Sequence, residues 1–179
     1  AGQMINAFYD SYRILYKVYG EGAYLKAALN STDIEEKNRA FTTKLSYGVL
    51  DKDIELSYAI KYFAPKTPKA AVRLVLKIAM YAFRYLGKKP YAVADAAVEL
   101  VKKMGKGGAS GFVNAFLRKY FTTEIPLPEE AEERISVKYS YPLFLVKAVV
   151  RRGSRGKAFL GGKRQNLSRF LRRGRRGIS

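Results

Sequence analysis

The sequence contains no histidine and no cysteine. Those two absences together remove the imidazole base, the thiolate nucleophile, the disulfide and the His/Cys zinc site. Carboxylates are what remain for acid–base chemistry, and four of the 15 acids cluster as Glu129, Glu130, Glu132 and Glu133 just after Pro128. Negative charge in that position suits the start of a helix, so they are read as helix-end stabilisers, and no catalytic residue or metal ligand is assigned. No apolar run approaches the roughly 18 residues of a membrane span, and residues 6–12 carry no basic-then-apolar export pattern. The chain is read as cytoplasmic and not bound to a membrane.

What is abundant is positive charge. Lys and Arg number 34 against 15 Asp and Glu, a formal net charge of +19, which is more than solubility requires and points to a polyanionic partner, nucleic acid first. Basic residues also serve anionic membranes, but there they lie on an amphipathic helix with a Lys/Arg face beside an apolar one. With 48% hydrophobic and 13% aromatic residues, the chain is too apolar for a disordered polycation. Its 179 residues suffice for one core with appendages.

The apolar pattern is helical throughout. Ile5, Phe8, Tyr12, Leu15 and Tyr19 recur at steps of three and four, which predicts a first helix. A short helix is expected near 23–29. A long one is expected over 34–50, with Asp33 as its N-cap, Phe41, Leu45 and Val49 inward, and Gly48 permitting close helix contact. Ile54, Tyr58 and Tyr62 continue the pattern to Pro65, and the tyrosines at 12, 58 and 62 are assigned to the core. A central, heavily buried helix is predicted over 68–85 on the stripe of Val72, Leu76, Ala79 and Phe83, with Pro68 in its first turn. Pro90 opens the next helix, which carries Val93, Ala97, Val101 and Met104. Gly105, Gly107 and Gly108 interrupt it, and Ser110 is expected to cap a helix bearing Phe112, Val113, Phe116, Leu117 and Tyr120. No period-two strand is found.

The composition changes after Val150. Residues 1–150 read as a helical domain, whereas 151–179 hold 11 Lys or Arg and no acid. One reading makes this segment a flexible basic arm that closes on phosphates. Another makes it the product of a shifted reading frame, because Glu- and Lys-rich codons read out of frame yield mainly Arg, Gly, Lys and Ser.

Three stretches carry a resemblance: Arg39-Ala40-Phe41 through Leu45-Ser46-Tyr47-Gly48-Val49-Leu50, then Pro90-Tyr91-Ala92-Val93 through Ala97-Val98-Glu99-Leu100, and Ser110-Gly111-Phe112-Val113-Asn114-Ala115-Phe116-Leu117-Arg118. Over residues 4–150 the chain resembles the NusB-like domain that precedes the catalytic domain of 16S ribosomal RNA cytosine-5 methyltransferases, the Sun/Fmu family. The resemblance implies an all-α fold of two small antiparallel helical bundles and contact with RNA, ribosomal RNA in particular. It also implies that S-adenosylmethionine and the attacking cysteine belong to a separate catalytic domain, so no cofactor is assigned to this chain. The implied function is an accessory domain that positions RNA for a methyltransferase. The alternative is a free-standing NusB-like antitermination or assembly factor that joins a ribosomal protein on RNA. The arginine-rich N-terminal arm of NusB has no counterpart here, where only Arg13 and Lys17 occur early.

Candidate RNA contacts are Lys102, Lys103 and Lys106 at the end of one predicted helix and Arg118 and Lys119 at the end of the next. Antiparallel packing would put them at opposite ends of a hairpin, as two patches. Cations at helix C-termini also complement the helix dipole, and both readings stand for each of them. Arg39, Arg151 and Arg152 complete the RNA set. Gly111 and Asn114 are read as structural; Asn114, one turn from Arg118, either fastens neighbouring helices or touches RNA.

Overall fold

A computed structural model of the chain describes residues 2–153. Within them lie nine α-helices, one short 3-10 turn and no strand. The helices are α1 (Gly2–Glu21), α2 (Leu25–Ser31), α3 (Glu36–Asp51), α4 (Asp53–Phe63), α5 (Ala70–Leu86), α6 (Pro90–Lys103), α7 (Ser110–Thr122), α8 (Ala131–Tyr139) and α9 (Leu143–Gly153). Two compact units divide between Ile125 and Pro126. The all-α expectation holds, and the reading of 151–179 as a flexible basic arm or a frame-shifted segment lies, from residue 154 onward, outside the described residues.

In the first unit α5 is the axis of the core. Val72, Leu74, Val75, Leu76, Ile78, Ala79, Met80 and Ala82 are all buried, an apolar stripe too wide for a helix with an open face. α1 packs against α3, α5 and α6, so the α1–α3 bundle and the α4–α7 bundle share one hydrophobic cluster that includes Phe8, Leu15, Leu45, Leu56, Leu76, Leu100 and Leu117. A smaller cluster of Ile14, Ala28, Leu29 and Ile34 lies beneath α2. Where α1 meets α3 the side chains are small and polar. Ser11 Oγ donates to the Thr42 carbonyl at 3.2 Å and lies 3.1 Å from Ser46 Oγ, which also donates to that carbonyl at 2.8 Å, while the buried Thr42 Oγ1 has no hydrogen-bond partner among the described residues. Gly48 makes the close α3–α5 contact: a β-carbon there would fall inside the Tyr81 ring.

Four local expectations are corrected. Asp33 does not cap α3, which starts at Glu36, because Ile34 is buried in the α2 cluster and the chain stays outside the helix to insert it. Pro68 lies just outside α5, with Lys69 at the cap position, and its carbonyl accepts from Arg73 Nη1 at 3.1 Å. Ser110 is the first residue of α7 rather than its cap, a position taken by Ala109. Tyr62 is 47% exposed, since the buried face of α4 is Leu56, Ala59 and Ile60, and Tyr12 and Tyr58 are only half-buried.

In the second unit the acidic cluster caps a helix. Glu130 occupies the N-cap of α8, and its carboxylate accepts from the Glu132 and Glu133 amides at 3.2 and 2.8 Å. Those two amide bonds hold the exposed carboxyl below the usual glutamate range. Arg134 reaches back to the carbonyls of Pro128 and Glu129, tying the approach to the helix. Ser140 ends α8 in the left-handed conformation at φ 56°. α9 continues past residue 150, so Arg151 and Arg152 stand exposed in its last helical turn.

Candidate nucleic-acid interface

The α6–α7 hairpin concentrates positive charge because no Asp or Glu occurs between residues 100 and 123. Pro90 starts α6 at its first position, where the missing N–H costs nothing. Val93, Ala97, Leu100 and Val101 bury one face and leave Lys102 and Lys103 exposed in the last turn. Gly105 then takes φ 73°, which a side chain would resist, and the Lys106 amide returns to the Val101 carbonyl at 2.8 Å. The 3-10 turn Gly107–Ala109 leads directly into α7. The glycines thus form a helix-to-helix turn, as expected.

This end gathers Lys102, Lys103 and Lys106 beside exposed backbone at Gly107, Gly108 and Gly111. A β-carbon on Gly108 or Gly111 would meet nothing within 4 Å among the described residues, so their packing requires neither glycine. Phe112, expected inside, is 41% exposed, because the buried stripe of α7 is Val113, Phe116, Leu117 and Tyr120; its ring meets Phe116 with centroids 6.1 Å apart.

Tyr9 on α1 joins this end. Lys103 Nζ lies 4.4 Å from the Tyr9 ring centre, and the Arg13 guanidinium lies over the same ring at 5.6 Å. Arg13 also pairs with Asp10 at 3.4 Å. Burial pushes the Asp10 carboxyl upward, against the opposing pull of Arg13 and, more weakly, Lys103. Two cations therefore converge on one aromatic ring and one acid. Sequence reasoning missed this group: the Tyr9–Arg13 spacing of four is visible, but nothing local announces that α6 delivers Lys103 to it.

Arg118 and Lys119 lie at the other end of α7, exposed and about 12 Å further along the axis at 1.5 Å per residue from Ser110. The two-patch geometry expected of the hairpin is therefore present. Arg118 Nε donates to Asn114 Oδ1 at 3.3 Å, so Asn114 positions a cation within its own helix and does not fasten a neighbouring one. Arg39 belongs to neither group: it lies on α3 and pairs with Glu36 at 3.4 Å. Arg151 and Arg152 lie in the second unit.

The described residues form no strand, so they do not build the strand, glycine loop and helix that a Rossmann-like cofactor site requires. They also contain no cluster of acids able to hold a metal ion, and no helix among them is long and apolar enough to cross a membrane.

A helical bundle that presents a cationic hairpin, rather than a cofactor-binding sheet, defines the class. Residues 11–121 match the NusB family, and the chain belongs to that family. It is 34% identical over 129 residues to the probable ribosomal RNA small subunit methyltransferase B of Bacillus subtilis (strain 168), a match covering 69% of this chain and 29% of that protein. It is also 34% identical over 91 residues to the transcription antitermination protein NusB of Syntrophomonas wolfei subsp. wolfei (strain DSM 2245B / Goettingen), covering 48% of this chain and 68% of that one.

Proposed function

We propose that this chain is an RNA-binding accessory domain that holds ribosomal RNA for a cytosine-5 methyltransferase and transfers no methyl group itself. The observation that carries the reading is the acid-free stretch of residues 100–123, from the end of α6 through α7, with exposed cations at both ends of α7. Lysines there meet phosphate as point charges and Arg118 as a planar fork, contacts that position a strand without reading its sequence. The longer match, to a ribosomal RNA methyltransferase, supports the choice of RNA and of reaction. S-adenosylmethionine would then be bound by a catalytic domain and not by the helices described above.

A second reading, a NusB-like antitermination or assembly factor working with a ribosomal protein, is favoured by the larger share of the antitermination relative that the chain spans. One experiment separates them. The purified chain is offered ribosomal RNA with labelled S-adenosylmethionine, and separately a small ribosomal protein. RNA retention without methyl transfer is expected; methyl transfer by the chain alone would overturn the accessory role, and a stable RNA-dependent complex with the ribosomal protein would favour the second reading.

A further inference from the structure

A concavity of about 250 Å³ lies between the C-terminal part of α1 and the start of α5, remote in sequence from the α6–α7 hairpin. We infer that it binds one unpaired nucleotide of RNA, with the base against Tyr16 and the phosphate on Arg73. This inference rests on the RNA-binding reading above and adds a separate site to it.

The aromatic wall comes first. Tyr16 and Tyr19 line the concavity yet remain 53% and 44% exposed. Tyr16 is steadied by Tyr12, with ring centroids 6.1 Å apart. Gly20 lies beside the Tyr16 ring, where a β-carbon would make an ordinary van der Waals contact at 3.9 Å. Tyr19 is held from behind: its hydroxyl donates to Asp53 Oδ1 at 2.6 Å, and Lys77 Nζ lies 5.0 Å from its ring centre. An exposed, pre-positioned tyrosine face is what an unstacked base uses, and stacking accepts any base.

The charge argument selects the phosphate ligand. Lys77 is paired with Asp53 at 2.7 Å, so its charge is already answered. Arg73 is not in an acid pair among the described residues; one N–H is held by the Pro68 carbonyl, which fixes the guanidinium and leaves other donors of its fork for an anion. The small side chains of Ala70 and Ala71 keep this side open. The volume falls below the roughly 300–1,000 Å³ typical of sites for larger ligands, which suits a single ring system and not a peptide.

The test uses the full chain and two probes. In amide-resolved NMR, uridine monophosphate is expected to shift Gly20, Ala71 and Arg73, with inorganic phosphate moving Arg73 alone. In binding to a uridine-rich single strand, Tyr16→Ala and Arg73→Gln are each expected to weaken affinity about tenfold or more, while Tyr16→Phe, which keeps the ring, matches the wild type. Thermal melts check that each variant folds. Wild-type affinity in both loss variants, alongside weakening by Lys106→Ala, would overturn the nucleotide site and leave the accessory role intact. Failure of the wild-type chain to bind any RNA would overturn both.

Discussion

Tyr120 is buried on α7, only 7% exposed, and burial pushes its hydroxyl up to about 12, with Arg84 pulling it down and Glu55 adding to the rise. The surrounding group is a clamp between α4 and α5: Arg84 Nε pairs with Glu55 at 3.0 Å, and the Tyr85 hydroxyl donates to the same carboxylate at 2.5 Å. An unfolded tyrosine loses its proton near pH 10, whereas folded Tyr120 keeps it until about 12. The stability that comes from holding it neutral is therefore complete below pH 10 and is lost as the pH rises towards 12. Denaturant melts across that window should show a fall in stability, of which Tyr120→Phe removes about 2 kcal/mol. Tyr12, Tyr81 and Tyr85 are raised by burial as well, so a smaller slope should persist in the variant. A slope identical in wild type and variant would show that Tyr120 titrates like an exposed tyrosine.

At the scale of the elements, Gly48 tests the packing of α3 on α5. Alanine is the better helix former by about 1 kcal/mol, so an open site would gain from Gly48→Ala. Because the added carbon would occupy the place of the Tyr81 ring, which stacks on Tyr85 at 5.0 Å, a net loss of about 1–3 kcal/mol is expected in chemical denaturation. Gly48 as a contact glycine was legible from the sequence because it lies beside the unbroken apolar step of Phe41, Leu45 and Val49, where a missing side chain lets another helix come close. The helices themselves were legible for the same reason: α5 carries so many apolar residues that only a central position fits them. What could not be read locally was which residue waits outside a helix for a tertiary reason. Asp33 has the right chemistry for a cap, but burial of Ile34 decides where α3 begins. Phe112 and Tyr62 likewise sit within apolar patterns and still face outward, because a helix on the edge of a bundle buries only a narrow stripe. The hairpin cations were legible from their spacing around the glycines. Their meeting with Tyr9 and Arg13, and the concavity at Tyr16 and Arg73, depend on pairing distant helices and carry no local signal.

Over the whole molecule, the distribution of charge matters more than its total. Residues 1–125 contain 20 Lys or Arg and 11 Asp or Glu, and five of those acids, Asp10, Glu35, Glu36, Asp53 and Glu55, each pair with a cation. Among the cations without an ion pair in the described residues, Lys102, Lys103, Lys106, Arg118 and Lys119 fall together on one hairpin. Unpaired cations clustered on one hairpin should bind a phosphate backbone with a definite number of contacts. Each contact releases counterions and contributes about −0.7 to the slope of log affinity against log salt for a single strand. Engagement of these five would give a slope of about −3 to −4 in filter binding at graded salt. Lys106→Ala should weaken binding to all sequences alike and flatten the slope by about one contact. Arg39→Ala should flatten it less, since Arg39 already has Glu36 as a partner at 3.4 Å. Equal flattening by Arg39→Ala and Lys106→Ala would mean that the RNA path also crosses α3, and an unchanged slope in Lys106→Ala would remove the hairpin from the interface.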